Sequence, residues 1–482
     1  MIVKRLFSSP RRTLLLVVLL AAAYLLVGTM APFLFRTPLS GGSAAGIRQL
    51  EFRSSSPVDG PDRALLLSTS LSAWEERLRM VEQARERIIL STFDIRDDAS
   101  TRDLMSVLLE KADQGVDIKL LVDGVSGFLQ VRGTALFQAF ASHPRVELKI
   151  YNPITLLRPW RLQGRMHDKY LIVDDFGLIL GGRNTFDLFL GEYPTDHPNL
   201  DLDVLIYNTE PGNASSAVAQ VEDYFEAVWQ LDCCQLYADD PGFGESTEAV
   251  QLRQELALRY ESLQRDRPDL FRLPDYAAMT CPTRKTLLLS GDTGIGQKEP
   301  RVFYALCALM GQAEESVVLH TPYAVLNGPM TEALTQIAAA VPDSRLLLNA
   351  RANGGNVAAS SDYTYHRRQV LDTGFTLYEF EGGQSYHGKA VAVDSDLAAV
   401  GSYNLDLRST YVDTELMLVI HSPEFNQQLR DWMTELEGQS AHITAAGETV
   451  RPEGRAAMEL GLPRQVLYHV LGIVLQPFRV LV

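Results

Sequence analysis

The sequence predicts an α/β protein of two similar halves packed about a pseudo-twofold axis, carried on an N-terminal transmembrane helix. Three observations predict it. The stretch Met166 to Asn184, MHDKYLIVDDFGLILGGRN, has the same internal arrangement as Tyr386 to Asn404, YHGKAVAVDSDLAAVGSYN, 220 positions later. Strand-like and helix-like segments alternate ahead of each copy. An uncharged run from Thr13 to Phe35 is long enough to cross a bilayer as a helix.

Taken in order, the chain opens on MIVKRLFSSPRR, with Lys4, Arg5, Arg11 and Arg12 ahead of the apolar run. No convincing small-x-small cleavage site follows, so residues 1–36 read as a cytosolic basic flank and an uncleaved signal anchor. Basic residues before the span place the N-terminus in the cytosol and the body outside it, a single-pass protein of the cell membrane. Residues 37–64, rich in Ser, Gly and Pro, read as a linker. In the first half, residues 65–235, Ala73 to Arg85 reads as a helix and RIILSTFD as a buried strand. TRDLMSVLLEKADQG follows as a helix stopped at Gly115, and VDIKLLVDG and VELKIYN as strands. Residues 236–283 connect the halves. The second half, residues 284–445, repeats the order: KTLLLSGDTG, the helix RVFYALCALMGQAEE, SVVLHTPYA, MTEALTQIAAA, SRLLLNA and FTLYEFE, then the second motif. Residues 446–482 form a tail whose VLYHVLGIVLQPFRVLV is too short before Pro477 to span, and reads as membrane-interfacial or packed on the body.

Composition narrows the function. A hydrophobic fraction of 46% and a charged fraction of 22% are those of a globular protein, while a net charge of −16 argues against broad nucleic-acid binding. Cys233, Cys234, Cys281 and Cys307 make no zinc spacing. They read mainly as buried thiols, with one bridge from the vicinal pair to Cys281 as the alternative for an external domain.

Each motif reads His, one residue, Lys, four residues, Asp, six residues, Gly-x-x-Asn. On a strand, residues two apart share a face, so His167 and Lys169 point together, as do His387 and Lys389. Two halves meeting would gather two His, two Lys, Asn184 and Asn404 around one small space. That set suits phosphoryl transfer without metal or cofactor. Ammonium and amide groups hold the non-bridging oxygens, one imidazole attacks phosphorus, and the other protonates the leaving alcohol and later deprotonates the incoming one. In-line displacement sets those two roles on opposite sides of phosphorus, which is the physical reason for duplication. Each imidazole needs a carboxylate to orient it. Asp203 and Glu415 are the candidates, each opening a strand after its motif. Asp174 and Asp394 complete the candidate catalytic set and read as turn-fixing residues within it.

These residues resemble the phospholipase D superfamily, whose HxKxxxxD motif occurs twice here, from about Leu65 to His421. GGRNTFDLFLGEY and GSYNLDLRSTYVDTE are similar to segments of its bacterial cardiolipin synthase branch. Asp413 stands where that branch usually has Asn, and Asn199-Leu200 lies near the place of its usual Trp-Arg. The resemblance implies two phospholipase D-like halves and a membrane-anchored phosphatidyltransferase working through a phosphohistidine, with His167 as nucleophile and His387 as acid/base. It further implies phosphatidylglycerol as the lipid substrate, while the acidic net charge leaves no nucleic-acid partner expected. Phospholipid hydrolysis is the alternative, with nuclease or non-catalytic lipid binding behind it. Two flanking segments add to the picture. GDTGIGQ, from Gly291, lacks the Gly-Lys-Ser/Thr of a phosphate-binding loop and reads as a loop beside the cleft. Arg158, Trp160, Arg161 and Arg165 read equally well as a solvated loop or as a basic, partly apolar lip for anionic headgroups.

Overall fold

The computed structural model describes residues 10–196, 198–237, 240 and 242–482. Lys4 and Arg5 of the basic flank lie outside the described residues. The chain is mixed α/β, with strands β1 (Asp62–Leu67), β2 (Arg87–Thr92), β3 (Asp117–Asp123), β4 (Val146–Tyr151), β5 (Tyr170–Val173), β6 (Gly177–Gly181), β7 (Asn199–Leu200), β8 (Asp203–Asn208), β9 (Cys234–Leu236) and β10 (Cys281–Pro282). The later strands are β11 (Lys285–Ser290), β12 (Ser316–His320), β13 (Asp343–Asn349), β14 (Thr376–Phe380), β15 (Ser385–Tyr386), β16 (Ala390–Val393), β17 (Leu397–Gly401), β18 (Leu416–His421), β19 (Ser440–Ile443) and β20 (Thr449–Val450).

Two nine-stranded sheets result, in the orders β10-β1-β8-β6-β5-β2-β3-β4-β9 and β11-β18-β17-β16-β12-β13-β14-β19-β20. Their central strands correspond. β2 and β12 each pair parallel with the next strand, and antiparallel with the strand that follows the histidine. The motif strands are buried along their whole length, YLIV in β5 and AVAV in β16. This is the continuous apolar reading of a strand covered on both faces. A core shared by both halves lies between the sheets, with Ile172, Leu180 and Val204 of the first packed among the cluster that holds Ala392, Val400 and Leu418 of the second. Separate cores cover the outer faces.

The long connection between the halves is built onto the first one. Its helix Thr247–Asp266 buries Leu256 and Tyr260 in that half's outer core, and β10 adds an edge strand to its sheet. Cys234 and Cys281 thereby sit on opposite edge strands. Eight strand spacings separate them, roughly 35–40 Å, far beyond the ~7 Å between Cα atoms that a disulfide spans. The alternative of a bridge is thus wrong for this fold, and all four cysteines are free thiols.

At the N-terminus, helix α1 (Pro10–Met30) leads into a short turn ending at Phe33. Thr13–Phe33 is long and apolar enough to cross a membrane, with almost none of it buried in the body. The chain re-enters the body at Met30 and Phe33, which join the second half's outer core.

Candidate active site

The two motifs meet through a reciprocal exchange between the halves. Met166 bridges Thr414, and the His167 N–H donates to the Thr414 carbonyl at 3.3 Å. At the matching place β15 pairs parallel with β7, and the His387 N–H donates to the Leu200 carbonyl at 2.7 Å. Each histidine is therefore held against the segment that carries the other half's carboxylate. His167 Nδ1 lies 3.0 Å from Glu415 Oε1, and His387 Nδ1 lies 2.7 Å from Asp201 Oδ2. A proton on each Nδ1 leaves the lone pair on Nε2. Both carboxylates are buried and the rings only slightly exposed, at 12% for His167 and 22% for His387.

Asp203, a candidate from the sequence for orienting an imidazole, is elsewhere. Its carboxylate pairs with Arg77 at 3.0 Å and Arg183 at 3.5 Å, all three buried. Sheet register explains the difference. Gly181 faces Asp203 while Gly401 faces Met417, so the counterpart of Glu415 is Asp201, two residues earlier. Asp203 braces the neighbouring loop instead: Arg183 also donates to the Leu67 carbonyl at 3.0 Å and to the Asp201 carbonyl.

Asp174 and Asp394 are placed outside the cleft. Each sits at the far end of its motif strand, seven residues and roughly 20 Å from its histidine. Both have φ 46°, a left-handed conformation that Asp tolerates better than most residues. Asp174 accepts from the N–H groups of Arg85, Glu86 and Arg87 at 2.8–2.9 Å. Asp394 accepts from those of Glu314, Glu315 and Ser316. They fix turns, and their place in the catalytic set is corrected.

Lys169 and Lys389 are buried beside the rings. Lys389 Nζ is 3.2 Å from His387 Nε2, and Lys169 donates to the His167 carbonyl. Burial pulls Lys169 down to about 7 and Lys389 to about 8. Burial and then the two lysines hold His167 well below an ordinary imidazole, and burial with Lys389 takes His387 to about 4. Burial pushes Glu415 up to about 8, against Lys169 and the hydroxyls of Ser402 and Ser409. For Asp201 the burial penalty is outweighed by His387 and Lys389, which hold it below the usual carboxylate range. The rings are thus neutral and the lysines readily charged near pH 7.

Asn184 and Asn404 stand at matching places beyond β6 and β17. Asn184 Oδ1 accepts the Asp94 N–H at 3.3 Å, and Asn404 Oδ1 is a buried acceptor with no hydrogen bond. Phe93 meets the His167 ring edge-on at 5.1 Å, and Phe189 meets His387 at 5.2 Å. Ser402, Ser409, Phe93 and Phe189 carried no spacing signal of their own. The Gly291 loop does lie beside the cleft: a side chain at Gly164 would strike the Ile295 carbonyl, three residues before His167. Arg165 is buried and donates to the Asn152 carbonyl at 3.1 Å, so it braces the lip rather than facing lipid.

This geometry has known relatives. Residues 78–229 and 306–436 match the family model described as cardiolipin synthase, PLD-like domain. The chain belongs to the phospholipase D superfamily. It is 28% identical over 406 residues to cardiolipin synthase C of Escherichia coli K12, covering 75% of this chain and 82% of that one. It is 27% identical over 412 residues to cardiolipin synthase A of Pseudomonas syringae pv. syringae B728a, covering 83% and 75%. The crystal structure of phosphatidylserine synthase from Haemophilus influenzae Rd KW20 superimposes with a TM-score of 0.62 at 13% identity, covering 92% of this chain and 99% of that one. The phospholipase D-like halves expected from the sequence are those two matched segments.

Proposed function

We propose that this phospholipase D superfamily enzyme transfers a phosphatidyl group from phosphatidylglycerol to the hydroxyl of a second lipid, forming cardiolipin and releasing glycerol. The reciprocal imidazole–carboxylate pairing carries the reading. His167–Glu415 and His387–Asp201 give two rings of like tautomer in one cleft, one for each side of a phosphorus atom. His167 Nε2 attacks phosphorus. A P–N bond forms, the P–O bond to the headgroup breaks, and the electron pair leaves on glycerol oxygen. His387, whose ring gains a proton on Nε2 as the phosphate anion entering beside it raises its pKa, gives that oxygen its proton. The neutral ring then takes the proton of the incoming hydroxyl, a new P–O bond forms, and the P–N bond returns its electrons to His167.

In this reading Lys169, Lys389, Asn184 and Asn404 hold the non-bridging oxygens. A phosphate anion would raise both lysines from their low resting values and keep them charged. The names of the relatives support a phospholipid substrate, the apolar N-terminal helix supports a membrane-anchored protein, and the basic residues ahead of it support a body outside the cytosol. Purified protein given headgroup- and acyl-labelled phosphatidylglycerol tests the reading by lipid chromatography. Free glycerol with cardiolipin is the expected result. Phosphatidic acid alone would make the protein a hydrolase.

A further inference from the structure

We propose that the loop of residues 153–163 inserts into the bilayer alongside α1, so that phospholipid headgroups meet the cleft at the membrane surface. This rests on the anchored reading and adds how lipid reaches the site. The first observation is depth. The loop packs against the anchor inside the span: Tyr24 Oη donates to the Leu157 carbonyl at 2.8 Å, and a side chain at Gly28 would strike Pro159 Cγ. Gly28 and Tyr24 precede Phe33, the end of the apolar span, by five and nine residues. At 1.5 Å per residue, that is about 7–14 Å below the end of the span, within the outer half of a ~30 Å hydrocarbon layer.

The second observation is composition. Leu156, Leu157 and Trp160 are 60%, 82% and 48% exposed, an apolar tip that water would otherwise solvate. Arg158 is also exposed and can reach up to phosphates while its stem stays in apolar surroundings. The third is rigidity. The Asn152 amide donates to the carbonyls of Arg161 at 2.7 Å and Gly164 at 2.8 Å. Arg408 donates to Gln163 Oε1 at 2.7 Å and pairs with Asp413, two residues from Glu415. Loop depth therefore sets cleft height.

The C-terminal segment offers a second apolar surface. Helix α2 (Leu462–Val474) buries Tyr468 against the body and turns Leu462, Val466, Val470 and Ile473 outward, each more than half exposed. The turn after it returns Val480 to the core that holds Met30 and Phe33, at the foot of the anchor. An amphipathic helix so placed lies in the plane of the interface.

The test uses the full chain in phosphatidylglycerol/phosphatidylcholine nanodiscs whose acyl chains carry bromine at graded depths. Subtracting the emission of Trp160→Phe isolates Trp160 from Trp74, Trp229 and Trp432. The expected result is strong quenching of that component by acyl-chain bromine and little by aqueous acrylamide. The remaining emission should be unchanged, showing an intact fold. In Leu157→Glu, a carboxylate that resists hydrocarbon should lift the loop and reverse the two quenchers' ranking. A Trp160 component quenched by acrylamide and indifferent to brominated lipid would overturn the proposal. The readout needs no turnover, so failure of the transferase reading leaves it standing.

Discussion

At the scale of single residues, two aspartates two positions apart do different work. Asp201 accepts from His387 Nδ1, whereas Asp203 neutralises Arg77 and Arg183 in a buried cluster. Asp201→Asn should keep the fold and lower kcat by roughly 10²–10⁴-fold, because the ring loses its preferred tautomer and the stabilisation of its cation. Asp203→Asn should instead cost about 3–5 kcal/mol of stability, the penalty for leaving buried guanidinium charge uncompensated. Paired measurements of kcat on folded protein and of the urea midpoint separate them; a collapse of kcat at unchanged stability in Asp203→Asn would reverse the assignment. The lysines make a second residue-scale prediction. With burial holding Lys169 near 7 and Lys389 near 8, kcat/KM should fall as pH rises through 7–8, since on the proposed mechanism the deprotonated amines no longer hold phosphate. Arginine stays charged there, so replacing both lysines by arginine should lower the plateau but move the alkaline limb above it. A limb that stays in place would assign it to another group. The histidines, lysines and asparagines were legible in the sequence because the chemistry repeats them at fixed spacing within one hairpin. Asp201 was not. From the motif glycine to the carboxylate is 20 residues in the first half and 14 in the second, and counting cannot align loops of unequal length.

At the scale of elements, each motif is a β-hairpin whose turn is fixed by its own aspartate. Asp174→Ala would leave three N–H groups without their acceptor, at about 0.5–1.5 kcal/mol in all, because water reaches these groups and replaces part of what is lost. The expected outcome is a lower urea midpoint with kcat of the folded protein nearly unchanged, and Asp394→Ala should behave alike. Loss of turnover without loss of stability would return these carboxylates to the chemistry. The strands and helices of both halves could be read from their periodicity, because buried strands and amphipathic helices carry it plainly. Long-range placement was less accessible. Nothing local says that β9 and β10 lie at opposite edges of one sheet, and so the cysteine alternative stayed open until the strand order was known.

At the scale of the whole molecule, the cleft belongs to neither half alone. Each supplies an imidazole and the carboxylate that orients the other half's imidazole, which is why duplication within one chain suits this chemistry. On the proposed orientation, with the body outside the cytosol, protease added to intact spheroplasts should digest the body; full protection would reverse that orientation. On the proposed mechanism two lysines and two amides supply the charge stabilisation, so activity should survive excess chelator, and its loss with recovery on adding a metal ion would count against the mechanism. The covalent intermediate is the central claim, and a phosphodiester labelled on the transferred group tests it directly. In His387→Ala the nucleophile remains but proton transfer to and from oxygen is lost. With a nitrophenyl phosphodiester, whose leaving group needs little protonation, the first step should proceed and the second should stall. The account predicts acid-labile, base-stable label on His387→Ala and none on His167→Ala. Folded variants that both stay unlabelled would contradict it.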